Sequence, residues 1–363
     1  MKIQIAFTSI NFLLVLSVTT SFTLARGFVQ NSYNQPPATS KRSIRNDLLV
    51  EEDTNEATIT EELQAKIKNI RAIASDVDGT LLGTDHMLSE TTKNILKRVV
   101  QQVVKENPKK CFFFPATGKS RKGALDSLGT EIKEMLSNLP GVFIQGLYCV
   151  DGDGNVIYER SLPPKAIKAA EEMARKFNIT VIGNFRDEIY CNLSGEPDVL
   201  AEVNGKWGEP HPIMIDSLSE SGITFNKLVF TGKTEDIEML RDEMRPELEQ
   251  LANTVDATVT TSFPTILELL PGGCSKADGV QQMCKHLGID PETELLALGD
   301  QENDTGMLKM AAIGVSVGNG SPLAKEAADY VMEMTSNEGA AGLAMNRFAG
   351  FMQQQQQQES TAS

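Results

Sequence analysis

The segment Asp76-Val77-Asp78-Gly79-Thr80-Leu81 constrains this chain more than any other, because it sets two carboxylates two residues apart where an apolar run meets a glycine turn. Ile73 and Ala74 form the tail of that run. Side chains at i and i+2 of an extended segment share a face. Asp76 and Asp78 therefore point into one site just past the carboxyl end of a buried strand, the place where open α/β sheets bind ligands. Two close carboxylates oppose each other's ionisation, which favours one charged and one protonated group. Such a pair supplies a nucleophile and an acid. An Asp-rich turn also forms for purely local reasons, so the weight falls on its companions.

Three further segments follow in order. The run Cys111-Phe112-Phe113-Phe114 ends in Pro115-Ala116-Thr117-Gly118-Lys119, which puts a hydroxyl at a second strand end. Gly272-Gly273-Cys274-Ser275-Lys276-Ala277-Asp278-Gly279 sets a lysine at the start of a helix expected to run to Leu287. The apolar strand Leu295, Leu296, Ala297, Leu298 then breaks into Gly299-Asp300-Gln301-Glu302-Asn303-Asp304, an acidic cluster suited to a hard cation.

As an ordered set, these segments resemble the four motifs of the haloacid dehalogenase-like hydrolases. The likeness is greatest to the Cof-type sugar-phosphate phosphatase group, whose Gly-Asp-x-x-Asn-Asp-x-x-Met pattern is met by Gly299 to Met307. Gly314 to Gly320, Lys325 to Val331 and Asn337-Glu338-Gly339 are similar to the closing segments of that group, so the resemblance spans Ile70 to Phe348. It implies an α/β fold, a Rossmann-like parallel-sheet core with an inserted α+β cap domain, and a magnesium-dependent phosphatase acting on a small phosphorylated metabolite. By the same resemblance Asp76 attacks phosphorus and forms an aspartyl-phosphate, which splits one hard displacement into two. Asp78 protonates the leaving alkoxide and then deprotonates water. Thr117 bonds a phosphoryl oxygen, Lys276 neutralises charge there, and Gly118 and Asn303 belong to the phosphate-binding set. Asp76, the Asp78 backbone carbonyl and Asp300 hold Mg2+, while Asp304 steadies Lys276 and a metal-bound water. Lys119 stands where the group usually has arginine, and Gln145-Gly146 replaces Asn-Gly; both departures bear on substrate preference. Two rivals share the motifs: a phosphomutase that returns the phosphoryl group to a sugar, and a non-catalytic phospholigand-binding protein. No catalytic position is substituted, which disfavours the second.

Spacing locates the cap. Only 36 residues separate Thr80 from Thr117, enough for a helix over Glu90 to Lys105 and its loops, whereas 158 separate Thr117 from Lys276. The first part of the longer stretch holds a helix and two short core strands, near Val142 to Ile144 and Val156 to Tyr158. The cap is expected over residues 162–265, between core halves at 69–161 and 266–348. Its pattern reads helix (Pro163 to Phe177), strand (Thr180 to Gly183), strand (Glu188 to Cys191), helix (Pro197 to Lys206), strand (Lys227 to Phe230), helix (Thr234 to Leu251) and strand (Ala257 to Thr261), an α+β sandwich. In the family this is a class two, subtype B cap. The loop Gly183 to Asp187 carries Arg186, which this reading makes the specificity residue. His211 lacks metal-ligand spacing with the other histidines and is not expected to be catalytic.

The 363 residues carry a net charge of −15 and are 40% hydrophobic, enough for a sizeable core and unfavourable for nucleic-acid binding. Residues 1–46 hold five basic residues and no acid, so the remainder carries −20. Lys2 and the apolar run Phe12 to Val18 give residues 1–21 the layout of a signal peptide, too short for a membrane span. Residues 22–46 have transit-peptide composition. The two resemble the bipartite leader of complex plastids with Phe22 after the cleavage site, which implies a plastid destination, secretion being the alternative, and no membrane association after leader removal. Residues 47–68 read as an acidic linker and 349–363 as a disordered Gln-rich tail. Five scattered cysteines, with no Cys-x-x-Cys, read as buried apolar side chains rather than a disulfide framework, Cys274 included.

Overall fold

A computed structural model describes residues 61–105, 110–192, 196–205, 207–262 and 265–352. The leader, the linker up to residue 60 and the glutamine run lie outside the described residues. In chain order the strands are β1 (Ala72–Ser75), β2 (Phe112–Pro115), β3 (Gly141–Phe143), β4 (Tyr148–Val150), β5 (Val156–Glu159), β6 (Thr180–Phe185), β7 (Glu188–Asn192), β8 (Ile213–Ile215), β9 (Lys227–Thr231), β10 (Ala257–Thr260), β11 (Ile266–Pro271), β12 (Leu295–Gly299), β13 (Ile313–Ser316) and β14 (Tyr330–Val331).

Five of them form a parallel sheet in the order β14-β13-β12-β1-β2, so β1 sits centrally between β12 and β2. β1, β2, β12 and β13 are buried on both faces, as their near-continuous apolar sequences require, whereas the short edge strand β14 is part-exposed. Alternation divides the side chains between two layers. Ile73, Phe113, Leu296 and Leu298 pack towards the helices Glu90–Lys105 and Ala340–Phe348, and Ala74, Phe114, Leu295 and Ala297 pack towards Lys276–Leu287 and Thr305–Met310. Because β1, β2 and β12 are parallel, their carboxyl ends coincide, and the three loops that follow converge on one edge.

The second sheet, β10-β11-β9-β6-β7-β8, is antiparallel apart from the β7–β8 pair. One face is covered by helices Pro164–Phe177 and Arg245–Val255, which bury Val181, Leu228, Phe230, Leu267 and Leu269. This is the α+β cap on a Rossmann-like core that the sequence implies, with differences at its borders. β11, placed on the core side of a boundary at 265, lies inside the cap sheet between β10 and β9. The helix expected over Thr234 to Leu251 forms as one right-handed stretch that runs on to Val255, but it is not uniform: a 3-10 turn opens it at Thr234–Asp236 and a wider π-type turn over Met239–Met244 leads into Arg245–Val255, beside Pro246, which has no N–H to give a regular α-turn. The two short strands near Val142 and Val156 make a three-stranded antiparallel sheet with β4, and this sheet meets the parallel one through a single parallel bridge between Ala116, just past β2, and Val142. At the chain ends, Glu61–Asn69 is a helix with Ile67 buried, although linker was expected to 68, and Ala349 and Met352 are fully buried where the tail was expected to begin. Apolar residues spaced for one face hold both segments to the core.

Candidate active site

The floor of the site is built where β1 and β12 end. The chain leaves β1 at Asp76, whose N–H donates to the carbonyl of Leu298 at 2.9 Å, and turns back through Gly79 at φ +76°. A Cβ on Gly79 would fall 2.3 Å from Asp300 Oδ2, so both the turn and the neighbouring carboxylate require glycine there. Ser275 caps the helix Lys276–Leu287 and so places Lys276 on its first turn. The Lys276 ammonium is fully buried and donates to Asp76 Oδ1 at 2.8 Å and to Asp304 Oδ1 at 2.6 Å. The other Asp304 oxygen accepts from the N–H groups of Asp300 (2.8 Å) and Gln301 (3.0 Å). Asp300 accepts from Thr80 Oγ1 at 3.0 Å and from the Gln301 side chain at 3.1 Å. Asn319, in the first of the closing segments, donates to the carbonyl of Gly79 and accepts from Ser336 N–H, which pins the turn from outside.

Charge is unbalanced on this floor. Oxygens of Asp76, Asp300 and Asp304 lie within 4.8 Å of one another, all three residues are buried, and Lys276 is the cation among them. Burial, more than the neighbouring acids, pushes Asp300 up to about 7; burial also raises Asp76 well above the carboxylate range, with Asp304 and Asp300 adding to it against Lys276. A cluster of hard oxygen donors with surplus negative charge fits a divalent cation of the magnesium type. Asp304 has both oxygens committed to nitrogen donors, so Asp76 and Asp300 are the side chains fitted to hold it.

Asp78 behaves differently. Burial raises its pKa, but Lys119, which donates at 2.7 Å, and His86, 3.9 Å away, outweigh burial and lower it overall. The two carboxylates are thus pushed apart, but by burial and by their separate cationic and acidic neighbours rather than by each other. The direction is the reverse of the nucleophile and acid roles until charge is added to the site. Thr117 is buried, its hydroxyl accepts from Lys119 N–H at 3.2 Å, and it lines the same cleft as Gly118 and Asn303.

The roof comes from the other face of the cap sheet, part of which is covered by Val203 of the helix Pro197–Gly205. Alternation places Ile182 and Asn184 of β6, Ile189 of β7, Lys227 and Val229 of β9, and Ile266 and Glu268 of β11 on that face, and all of them line a cleft of about 730 Å3 shared with Asp76 and Asp78. Lys227 and Glu268 form a buried ion pair. Lys227 also donates to the Gly118 carbonyl at 2.8 Å, Gln145 donates to Glu268, and Asn303 donates to Gln145 Oε1 at 3.0 Å. One polar chain therefore runs from the cap to the loop at Gly118 and the acidic loop. Glu209 adds a second tie, accepting from the N–H and hydroxyl of Ser120 at 3.0 and 2.6 Å.

The structure brings Asp76, Asp78, Thr117, Gly118, Lys276, Asp300, Asn303 and Asp304 together. It does not bring Arg186 to them. The Arg186 guanidinium is half exposed, makes a two-point pair with Glu159 at 2.8 and 3.0 Å, stacks near Phe185, and is not among the residues lining the cleft. The hairpin tip lies beside the core instead, with Asp187 accepting from Lys122 N–H at 2.7 Å. The roof residues Asn184, Lys227 and Glu268 escaped the sequence reading, yet two of them left a signal: Lys227 opens, and Glu268 interrupts, strands that are otherwise apolar, a placement that demands a partner. The five cysteines are buried and none is in a disulfide, and burial raises the Cys274 thiol, as expected of packing residues.

The family model of the haloacid dehalogenase-like hydrolases matches residues 73–343. An Arabidopsis thaliana protein named as a chloroplastic endoribonuclease, YBEY, is 28% identical over 331 residues, 89% of this chain; the chain spans 53% of that protein. A Bacillus subtilis 5-amino-6-(5-phospho-D-ribitylamino)uracil phosphatase, YitU, is 25% identical over 74% of this chain and 94% of its own length. Among solved structures, the subclass IIB sugar phosphatase BT4131 superposes with a TM-score of 0.64 at 22% identity, covering 77% of this chain and 99% of that one. The last likeness is one of fold.

Proposed function

The chain belongs to the haloacid dehalogenase-like hydrolase family, in its Cof-type group, and on that premise we propose that it is a divalent-metal-dependent phosphatase of small phosphomonoesters, working through an aspartyl-phosphate on Asp76. The observation that carries this reading is the buried contact of Lys276 with Asp76, beside Asp300 and Asp304 at the end of the central strand. Asp76 and Asp300 would hold the cation, with the Asp78 carbonyl beside them, and the bound ion supplies the positive charge that keeps Asp76 ionised and balances the phosphoryl oxygens. The remaining work falls to the chain. Lys276 orients the attacking carboxylate and offsets charge on the phosphoryl group. Thr117 and the loop at Gly118 bind its oxygens, and Asn303 approaches from the acidic loop. Lys119 is 2.7 Å from Asp78; a phosphate dianion competes for that ammonium, which lifts the Asp78 pKa and lets it protonate the departing alkoxide. After the alcohol leaves, the same carboxylate takes a proton from water. The roof excludes bulk water while this occurs.

The substrate is a sugar phosphate or a phosphorylated cofactor or precursor; the uracil-containing substrate in the name of the Bacillus relative supports the second. The chloroplastic designation of the Arabidopsis relative supports a plastid destination for a chain with a basic, acid-free leader. Release of inorganic phosphate from a panel of such esters, with and without magnesium, tests the reading. Phosphate accumulation that stops on chelation supports it. Transfer to a second sugar without free phosphate indicates a mutase, and binding without turnover indicates a phospholigand-binding protein.

A further inference from the structure

The cap face above Asp76 is unlike a surface made for sugars. Ile182, Ile189, Val229 and Ile266 form its centre, backed by Val203, with Trp207 partly buried against the same cluster. Cross-strand register makes this continuous: Ile182 pairs with Val229, and Asn184 stands between Ile189 on one side and Lys227 on the other. The charged side chains of the roof are already committed to protein partners, Lys227 to Gly118 and Glu268, Glu268 also to Gln145, and Glu209 to Ser120. Asn184 differs from them. It is 4% exposed, it lines the cleft, and its Oδ1 has no hydrogen-bond partner.

A buried amide oxygen left without a donor costs about 1–3 kcal/mol, which a ligand N–H or O–H recovers on binding. A polyol pressed against the isoleucines and valine would lose hydration at several hydroxyls, each at a comparable cost. A flat ring has no such penalty on its faces, buries large apolar area, and carries polar groups only at its edge. Resting on the phosphatase reading, we infer that the leaving group of the substrate carries a heteroaromatic ring that lies on this apolar roof beside Trp207 and presents an N–H or O–H edge to Asn184. With Lys227 of the roof bonded to the Gly118 carbonyl, roof and floor face each other across one cleft, which places the ring on one side and the phosphoryl group on the other. Arg186 has no part in this recognition.

Trp207 is the chain's only tryptophan, so its fluorescence lifetime reports on the roof alone. Two readouts test the inference on the full chain. In the first, kcat/KM is compared for pyridoxal 5'-phosphate and flavin mononucleotide against glucose 6-phosphate, in wild type and in Trp207→Ala, Trp207→Phe and Asn184→Leu. Wild type prefers at least one ring ester, and the ratio of that ester to glucose 6-phosphate falls about tenfold in Trp207→Ala and in Asn184→Leu, the scale of one lost ring contact or hydrogen bond. Trp207→Phe keeps most of the ratio and guards against simple misfolding. In the second, pyridoxine and riboflavin are titrated against wild type and shorten the Trp207 lifetime saturably, while glucose and ribitol do not. A wild-type preference for glucose 6-phosphate, an unchanged ratio in both variants, or a lifetime insensitive to the ring alcohols overturns the inference. Saturable quenching without release of phosphate from any ester leaves the ring site standing and refutes the phosphatase reading instead.

Discussion

Floor and roof of the cleft are assembled by different physics. On the floor, Asp76, Thr117 and Asp300 each follow the last residues of neighbouring parallel strands, so local sequence and one sheet register bring them together. On the roof, Asn184, Lys227 and Glu268 come from three strands of an antiparallel sheet, and only the parity of each strand and the pairing between them decide that they meet. The floor is rich in charge that protein groups leave unbalanced, and it suits chemistry common to all phosphomonoesters. The roof is apolar with its charges already paired, and it suits discrimination. Changes to the floor should therefore affect all substrates alike, and changes to the roof should separate them.

The largest effect is expected on the floor. Asp76→Asn keeps the shape of the side chain and removes the charge that the proposed nucleophile needs, so kcat should fall about a thousandfold or more on every ester, with the thermal transition retained. Steady-state phosphate release near the wild-type rate would break the division at its base. Next comes the buried pair that joins roof to floor. Lys227→Met strands Glu268 without its cation, and a loss of about 3–5 kcal/mol is expected in denaturant unfolding. The double variant Lys227→Met with Glu268→Leu should regain most of that stability while kcat/KM stays low, because the tie to Gly118 and Gln145 remains cut. If the double variant recovers activity too, the pair is packing and does not position the loop at Gly118.

A smaller effect tests the cap apart from the site. Glu171 is buried and accepts from the Ser217 hydroxyl and from both the N–H and hydroxyl of Ser219, as well as from Leu218 N–H at 2.7 Å. Burial raises its pKa, but these bonds outweigh burial and lower it. A folded-state pKa below the unfolded one contributes stability above the unfolded value, about 4.3 for glutamate, and that contribution is lost as pH falls through the folded value. Glu171→Gln should thus be less stable than wild type at neutral pH, by about 1 kcal/mol, with the gap closing below about pH 4. A gap that is constant from pH 7 to pH 3 would mean the carboxylate's charge is not what the loop uses. The smallest effect is expected at Arg186. Its pair with Glu159 is largely solvent-facing, so Arg186→Ala should change stability by no more than about 1 kcal/mol and leave kcat/KM near wild type. A tenfold loss confined to bulky substrates would move the hairpin into the cleft and revise the roof.

What could be read from the sequence follows the same division. Motif residues at strand ends carry their geometry with them: Asp76 needs only β1 and the Gly79 turn, and Lys276 needs only a capped helix start. Arg186 reads as a specificity residue because a cation on a cap loop can meet a substrate hydroxyl or second phosphate, but whether it points to Glu159 or to the cleft is decided by β5 and Asn226, distant in sequence, the latter accepting from Arg186 N–H at 2.8 Å. Lys227 and Glu268 were legible as isolated charges in apolar strands, and Asn184 was not, since a single asparagine near a hairpin is equally at home in a turn. The sequence leaves the border at 265 one strand too early because β11, six buried residues just before the Gly272-Gly273 turn, reads as a core strand as well as a cap strand. Only its pairing with β9 and β10 decides between them.

The claim that Asp76 is the nucleophile can be tested at phosphorus itself. Hydrolysis of a phosphomonoester made chiral with three oxygen isotopes, followed by configurational analysis of the product formed in the presence of an acceptor alcohol, counts the displacements. Two in-line displacements, first by Asp76 and then by the acceptor, predict overall retention of configuration. Inversion would show a single direct attack and would contradict the account.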